Sequence, residues 1–407
     1  MKDFWQLHRT IKLRLLMTFS GLLAYSTVGA SMTIYYNKYL GAGITGLLLI
    51  VSSVLVFLVG LWGGHLSDRF GRRPLMMFST LMIASGGAIA ALANSPWLFS
   101  PWVTYVGFLV LNFGAGLFNT ASSAMIVDIT DSSNRKLVYG LQYWFINLAI
   151  LIGSALSGWF FKDYLFELLL AIAIEEFISF GITFFFIPES FDPSKQEKKA
   201  ESNIIKAYFA VAKDRSFMLF CLASVFIAMI FNQIDYYLPV HLSDSFRTTR
   251  LLGLEIYGQR MLTIFIILNT AIIVLFMNKV IQWTRDWSRR QGISIGIVLN
   301  ASGMLLAFVG HSFLLEILAS LIMTIGEMIL VPVSQAFRAD LMPADKAGTY
   351  SGAFAITQPI AAVLSGAMVS ISAFIGNLGM AAFMFVVMIC AIFFIRRSLA
   401  HRESMIK

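Results

Sequence analysis

Twelve apolar stretches dominate this chain, each close to the roughly 20 residues that a helix needs to cross the bilayer core. They lie near 13–36, 44–66, 74–93, 103–127, 137–160, 165–187, 216–240, 258–280, 292–310, 313–337, 348–373 and 376–395. In lipid only helices and closed barrels satisfy their own backbone, and continuous apolar runs mean helices. Hydrophobic residues make up 58% of the 407 and charged residues 13%, a balance that no soluble globular domain shows. The fold class is therefore an all-α polytopic membrane protein. The first residues, "MKDFWQLHRTIKLRLL", are basic and run into a full-length stretch without a small-residue cleavage site. They are expected to form an uncleaved anchor.

The net charge of +8 raises the question of a nucleic-acid partner. Its distribution answers it. If the chain starts inside, 25 of the 30 Lys and Arg fall on inner segments. Four lie on outer connections, Lys38, Lys162, Arg247 and Arg250, and Arg260 stands just inside the eighth stretch as a snorkelling residue. That is the positive-inside bias, with both termini cytoplasmic. The charge reports topology, and no nucleic acid is expected. Arg14 reads as a topological charge near the inner boundary. Cys221 and Cys390 both sit inside apolar stretches and offer neither a disulfide framework nor a metal spacing.

The longest connection, 188–215, is polar and charged and separates six stretches from six. This predicts residues 1–187 as one six-helix bundle, 188–215 as a cytoplasmic linker and 216–407 as a second bundle. From Ser202 onward the linker could form an amphipathic surface helix. A 6+6 pattern points to pseudo-two-fold repeats with a site at the midplane.

Acids inside apolar stretches are costly and mark function by default. Glu327 lies near the middle of the tenth stretch. Steps of three and four give Glu316, Ser320, Thr324, Glu327, Val331, Ser334 and Arg338, one polar stripe on an apolar helix. Such a stripe faces protein or a cavity. A low-dielectric site favours a neutral carboxyl, and water or a cation favours the charged form. Exchange of a proton against a cationic substrate needs that property. The bland alternative is a carboxyl hydrogen-bonded for packing. Asp235 follows Asn232 in "MIFNQIDYYLPV", beside Tyr236 and Tyr237, with Pro239 closing the segment. An acid among aromatic rings suits a lipophilic cation; an interfacial acid in a Tyr belt is the alternative.

Glu175 and Glu176 sit mid-stretch in "LLLAIAIEEFISFGITFFF". Neighbours on a helix point about 100° apart, so the two are not expected to share a face. One reading makes one of them neutral against helix neighbours and sends the other to water or headgroups. The other reading gives them a part in proton coupling. Glu167 and Glu316 read as interfacial. The 20 Met and 36 Phe mostly fill core and lipid faces, and those lining a cavity could repack around varied ligands. Tyr143, Trp144 and Asn147, and Gln358 before Pro359, are candidate lining residues.

Between the second and third stretches stands "GHLSDRFGRRPL", Gly64 to Leu75. With Gly64, Asp68, Arg69, Gly71, Arg72 and Arg73 in place, it resembles the signature loop of the major facilitator superfamily. "ASMTIYYNKYLG", "AMIVD" and "NRK" are similar to the drug:proton antiporter type within it. The resemblance covers the whole chain and implies the following. Asp68 sits against the N-terminus of the eleventh helix, where the helix dipole favours an anion. Arg72 pairs with Asp128, and the cluster latches the inward gate. Proton coupling involves Glu327, Asp235, Asp128 and Asp68. Substrate meets Glu327, Asp235, Gln142, Tyr143, Trp144, Asn147, Asn232, Thr324 and Gln358. Two family acids are replaced, by Gln142 and Met388, and a family asparagine by Gly116. Fewer acids put the proton count in doubt. The loop "NKVIQWTRDWSRRQG" is a degenerate copy, so the halves are not expected to be equivalent latches.

The expected function is proton-coupled efflux of lipophilic cationic drugs or dyes by a monomer in the plasma membrane. Its partners are these compounds, protons and lipids. It needs no cofactor or metal, and the proton gradient supplies the energy; nothing resembles a phosphate-binding loop. The alternative is a narrow-specificity transporter of the same superfamily, a nutrient symporter or lipid flippase. "IPES" after the sixth stretch is also seen in sugar porters. A membrane enzyme or receptor is disfavoured, because no Ser/His/Asp set stands out and the five histidines lie in loops, tails or helix ends.

Overall fold

A computed structural model describes residues 7–130, 135–191, 211–251, 253–342 and 347–406. The expected surface helix from Ser202 and most of the 188–215 connection lie outside them. The described residues are almost entirely helical: α1 Arg9–Ser26, α2 Gly29–Phe70, α3 Arg72–Leu92, α4 Pro101–Ile129, α5 Arg135–Phe160 and α6 Leu165–Phe186. After the connection come α7 Arg215–Asn232, α8 Tyr237–Ser245, α9 Gly258–Trp283, α10 Arg289–Val309, α11 Phe313–Leu341, α12 Ala347–Ala355 and α13 Thr357–Ile406.

Ten helical segments are long and apolar enough to cross a membrane, among the described residues. Two are far longer than one crossing needs: Arg9–Phe70 has 62 residues and Tyr350–Arg402 has 53. Each long rod bends at a glycine, Gly41 with φ 81° and Gly376 with φ 64°. A residue with a Cβ is strained there, so these glycines set where the rods turn. The expected loop "GNL" at 376–378 is thus a bend inside α13. Short antiparallel hairpins, absent from the expected all-helical pattern, fill two connections. One pairs Asn94–Ser95 with Leu98–Phe99, the other Thr249–Leu251 with Leu254–Ile256.

The seventh stretch is not one helix. α7 ends at Asn232, and the chain turns before α8 begins at Tyr237. Pro239 therefore opens a helix rather than closing one. It stands in the first turn of α8, where its missing N–H costs nothing.

The chain divides into two compact units, residues 1–40 with 51–197, and 41–50 with 198–407. In the first, Met17 of α1, Val59 of α2, Leu75 and Met76 of α3, and Leu117 and Met125 of α4 form a buried apolar cluster. In the second, α10 and α11 touch backbone to backbone. A Cβ on Gly326 would lie 2.2 Å from Asn300 N. Small residues permit such approach between helices in lipid, and here they fix the helix that carries Glu327.

Candidate functional site

In the second unit the polar stripe of α11 is real, and its middle faces α9. Asn269 Nδ2 donates to Glu327 Oε2 at 2.9 Å and to Thr324 Oγ1 at 3.1 Å. Thr324 Oγ1 donates in turn to Ser320 O at 2.6 Å, and Ser320 Oγ to Phe265 O at 3.2 Å. Ser320 and Thr324 are fully buried, and Glu327 is half-buried. Glu327 therefore sits at the open end of a buried polar ladder. Pro332 follows five residues later and lacks the N–H that would bond Met328 O, loosening the helix just beyond the acid. Asn269 was missed in the sequence reading, although a lone amide in "IILNTAII" was a visible signal.

Further along the stripe, Val331, Ser334 and Arg338 line a cavity of about 270 Å³ with Phe354 and Gln358. The Arg338 guanidinium lies 4.7 Å over the Phe354 ring. Gln358 lies in the lining of this cavity. Glu316, expected at the interface, is instead completely buried. Its Oε1 lies 2.5 Å from the place a Cβ on Gly310 would take. Neither carboxyl oxygen has a hydrogen-bond partner among the described residues. His241, expected at a helix end, is also buried, with Nε2 2.6 Å from Gly310 O.

Asp235 is exposed in the turn between α7 and α8. Its N–H bonds Asn232 O at 3.0 Å. Asn232 itself reaches Ser365 Oγ at 3.4 Å. Arg260 folds back on Glu255 O at 2.7 Å and on the Tyr257 ring.

In the first unit the structure brings Asp68, Arg72 and Asp128 together. Arg72 Nη1 donates to Asp68 Oδ1 at 2.6 Å and to Ser67 Oγ at 3.0 Å, and Nε to Asp128 Oδ2 at 3.2 Å. The Arg72 side chain is 10% exposed against 53% for Asp68 and 27% for Asp128, so the cation is the buried partner. Gly71 takes φ 93° between α2 and α3. Arg73 binds the carbonyls of Thr183 and Phe184, while Arg69 only stacks on Phe70. A Cβ on Gly64 would lie 4.0 Å from Thr120 Cγ2, an ordinary contact.

"IPES" gains a physical meaning here. Glu189 accepts from Arg72 N at 3.0 Å and Arg73 N at 3.1 Å, an anion on the first turn of α3. Ser190 Oγ donates to Asp128 Oδ2 at 3.1 Å, and the Phe191 ring lies under the Arg72 guanidinium. Neither Glu189 nor Ser190 was in the expected cluster.

The second unit has a counterpart despite its degenerate loop. Arg289, at the first turn of α10, pairs with Asp340 near the end of α11. Arg72 and Asp128 hold the same places on α3 and α4. The second pair is more exposed, 52% and 39%, and among the described residues no second acid joins it.

Of the candidates on α5, Tyr143 and Trp144 are exposed, and Asn147 bonds only Tyr143 O at 2.8 Å. Gln142 Oε1 is buried without a partner among the described residues. Met388 is buried, and a Cβ on Gly116 would lie 2.8 Å from Val59 Cγ1. At Gly116 a larger side chain would therefore need Val59 to repack.

Arg14, read as topological, is 0% exposed and bonds Ser122 Oγ. Glu175 and Glu176 do converge, contrary to expectation. A Cβ on Gly21 of α1 would lie 3.2 Å from Glu176 Oε1 and 3.5 Å from Glu175 Oε2. Adjacent side chains diverge at Cα, but long flexible stems let both carboxyls reach the same gap.

Comparison with known proteins places these groups in context. The model of the Major Facilitator Superfamily matches residues 14–366. A Na(+), Li(+), K(+)/H(+) antiporter of Planococcus maritimus is 28% identical over 384 residues, 91% of each chain. Multidrug resistance protein MdtH of Edwardsiella ictaluri is 23% identical, over 81% of this chain and 78% of its own. A POT family transporter crystallised with 5-aminolevulinic acid shares the fold, with TM-score 0.76, 17% identity and 96% of each chain covered.

Proposed function

Since the chain belongs to the Major Facilitator Superfamily, a multi-pass membrane transporter family, we propose that it is a proton-coupled antiporter that exports lipophilic cations. The carrying observation is Glu327, an acid at the open end of a buried polar ladder. Protonated, the carboxyl is neutral and keeps its hydrogen bond from Asn269. Deprotonated, it offers a charge to a cation. Proton and substrate then compete for one group, which is the minimum that exchange requires. The MdtH relatives support the drug reading.

We take the chain to cross the membrane twelve times, with both termini cytoplasmic. The rods Arg9–Phe70 and Tyr350–Arg402 each count as two crossings, bent at Gly41 and Gly376. The excess of Lys and Arg on the assigned inner segments supports the orientation. The Asp68–Arg72–Asp128 cluster acts as a latch that exchanges partners during alternating access.

The relative named as an alkali-cation/proton antiporter supports a second reading, in which Na+, Li+ or K+ is the exported cation. Everted vesicles carrying a pH-sensitive dye separate the two. Under the first reading, a lipophilic cation dissipates the proton gradient, and an uncoupler or Glu327→Gln abolishes the response. A response to NaCl or KCl alone favours the second reading. Transport that survives collapse of both gradient components removes proton coupling.

A further inference from the structure

We infer that Glu175 and Glu176, with Arg14 and Ser20, form a proton-binding site inside the first unit, on different helices from Glu327. The site lies where α6 crosses α1, at mid-length of an otherwise apolar helix.

Arg14 supplies the first observation. It is completely buried, with Nη2 on Ser122 Oγ, Nη1 on Met17 Sδ at 3.9 Å and the guanidinium 4.9 Å over the Phe118 ring. Its Nε has no partner among the described residues. No acid touches it directly, yet an arginine keeps its charge in a protein. Met17 Sδ, which Arg14 meets, also lies 4.0 Å from Thr183 Oγ1, so the guanidinium stands against the α6 helix that carries Glu176.

The two carboxyls supply the second. Glu175 Oε1 accepts from Ser20 Oγ at 2.5 Å and Ser179 Oγ at 3.1 Å, while its Oε2 is buried without a donor. Glu176 is 8% exposed and has no hydrogen-bond donor among the described residues. Both groups lie beside Gly21, where a Cβ would press on Glu176 Oε1 at 3.2 Å and touch Glu175 Oε2 at 3.5 Å. Full ionisation would set two negative charges against one positive charge in a buried site. A buried charge without a partner costs several kcal/mol. One proton on the carboxyl pair removes the imbalance. It forms a single O–H bond and leaves Arg14 balanced by the remaining carboxylate.

Among the described residues, no hydrogen bond or ion pair joins Glu175 or Glu176 to a cation on the elements packed against α6. On α1, Arg9 lies over the Phe186 ring, and Lys12 and Tyr25 flank Arg14 and Ser20 along the helix. On α3, Arg72 is held by Asp68 and Asp128, and Arg73 by the carbonyls of Thr183 and Phe184. The strand Asn94–Ser95 brings no ionisable side chain. On α6 itself the other acid, Glu167, is exposed two turns away.

Infrared difference spectra of the purified, lipid-reconstituted protein between acid and alkaline pH test this. In a Glu316→Gln background, which removes the other buried unpartnered carboxyl, the protein with and without Glu327→Gln should show a protonated-carboxyl C=O band that titrates. Glu175→Gln should lose it, because one carboxylate then faces one guanidinium with no proton needed. That variant keeps the buried charges balanced, so it should fold; Gly21→Ala, which crowds both carboxyls with one methyl, should shift the band without deleting an acid. The same titrating band in Glu175→Gln overturns the proposal. So does its removal by Na+ or K+ at constant pH, which would assign the pocket to an alkali cation. Absence of dye efflux would count against the transport reading alone, since the band does not depend on substrate.

Discussion

Asn269 shows how one residue can hold a site in register. It donates to both Glu327 and Thr324, and so ties the acid of α11 to α9. A hydrogen bond to a charged group contributes about 1.5–3 kcal/mol. Asn269→Ala should therefore slow proton-linked efflux by about tenfold or more, with little change in protein level. In a Glu327→Gln background the same substitution should add much less, because its main partner charge is gone. Additive losses would mean that Asn269 acts elsewhere. Arg72 makes a parallel case. It spans Ser67, Asp68 and Asp128 through two guanidinium nitrogens set in a fixed fork. Arg72→Lys keeps the charge but not the fork. It should abolish most transport while leaving expression near normal, measured as initial efflux rate against membrane protein level.

Individual acids were easier to read than their partners. Glu327 stands out because a carboxylate in an apolar run has few benign explanations. Asn269, Ser20 and Ser122 do not, since amides and hydroxyls hydrogen-bond within any helix. Arg14 was misread because position along a stretch gives depth but not which side faces protein.

At the level of elements, hydropathy found the helices and missed how they end. It averages over long windows and so runs across the turn at Gln233–Tyr236, although that turn carries Gln233 and Asp235. It broke the stretches near Gly41 and Gly376, but could not tell that helix runs on through a bend at each positive φ. The contact at Gly326 is similar: only the fold shows that its absent side chain lets Asn300 approach. Gly326→Ala would force α10 and α11 apart. Overpacking of this kind costs about 1–3 kcal/mol. Its thermal unfolding midpoint, followed by size-exclusion chromatography in detergent, should fall clearly below wild type. Gly140→Ala, where a Cβ meets open space, should not change it.

For the whole molecule the question is how many charges cross per cycle. A single proton on Glu327 exchanged for one monovalent cation moves no net charge. The membrane potential would then contribute nothing, and only the pH gradient would drive export. Gln142 and Met388 cannot carry the protons that family acids would. Glu175 and Glu176 restore one on the other unit. If that proton travels with the cycle, each turn moves one net charge, worth about 2.3 kcal/mol per 100 mV. That is roughly a fiftyfold gain in accumulation per 100 mV at the same pH gradient. Proteoliposomes with the pH gradient held fixed and the potential clamped by potassium and valinomycin measure it directly. Uptake of a monovalent cationic dye should rise steeply with potential in wild type and become flat in Glu175→Gln, while both keep their response to pH. A wild-type rate that ignores the potential would confine the buried pair of α6 to a proton that never leaves.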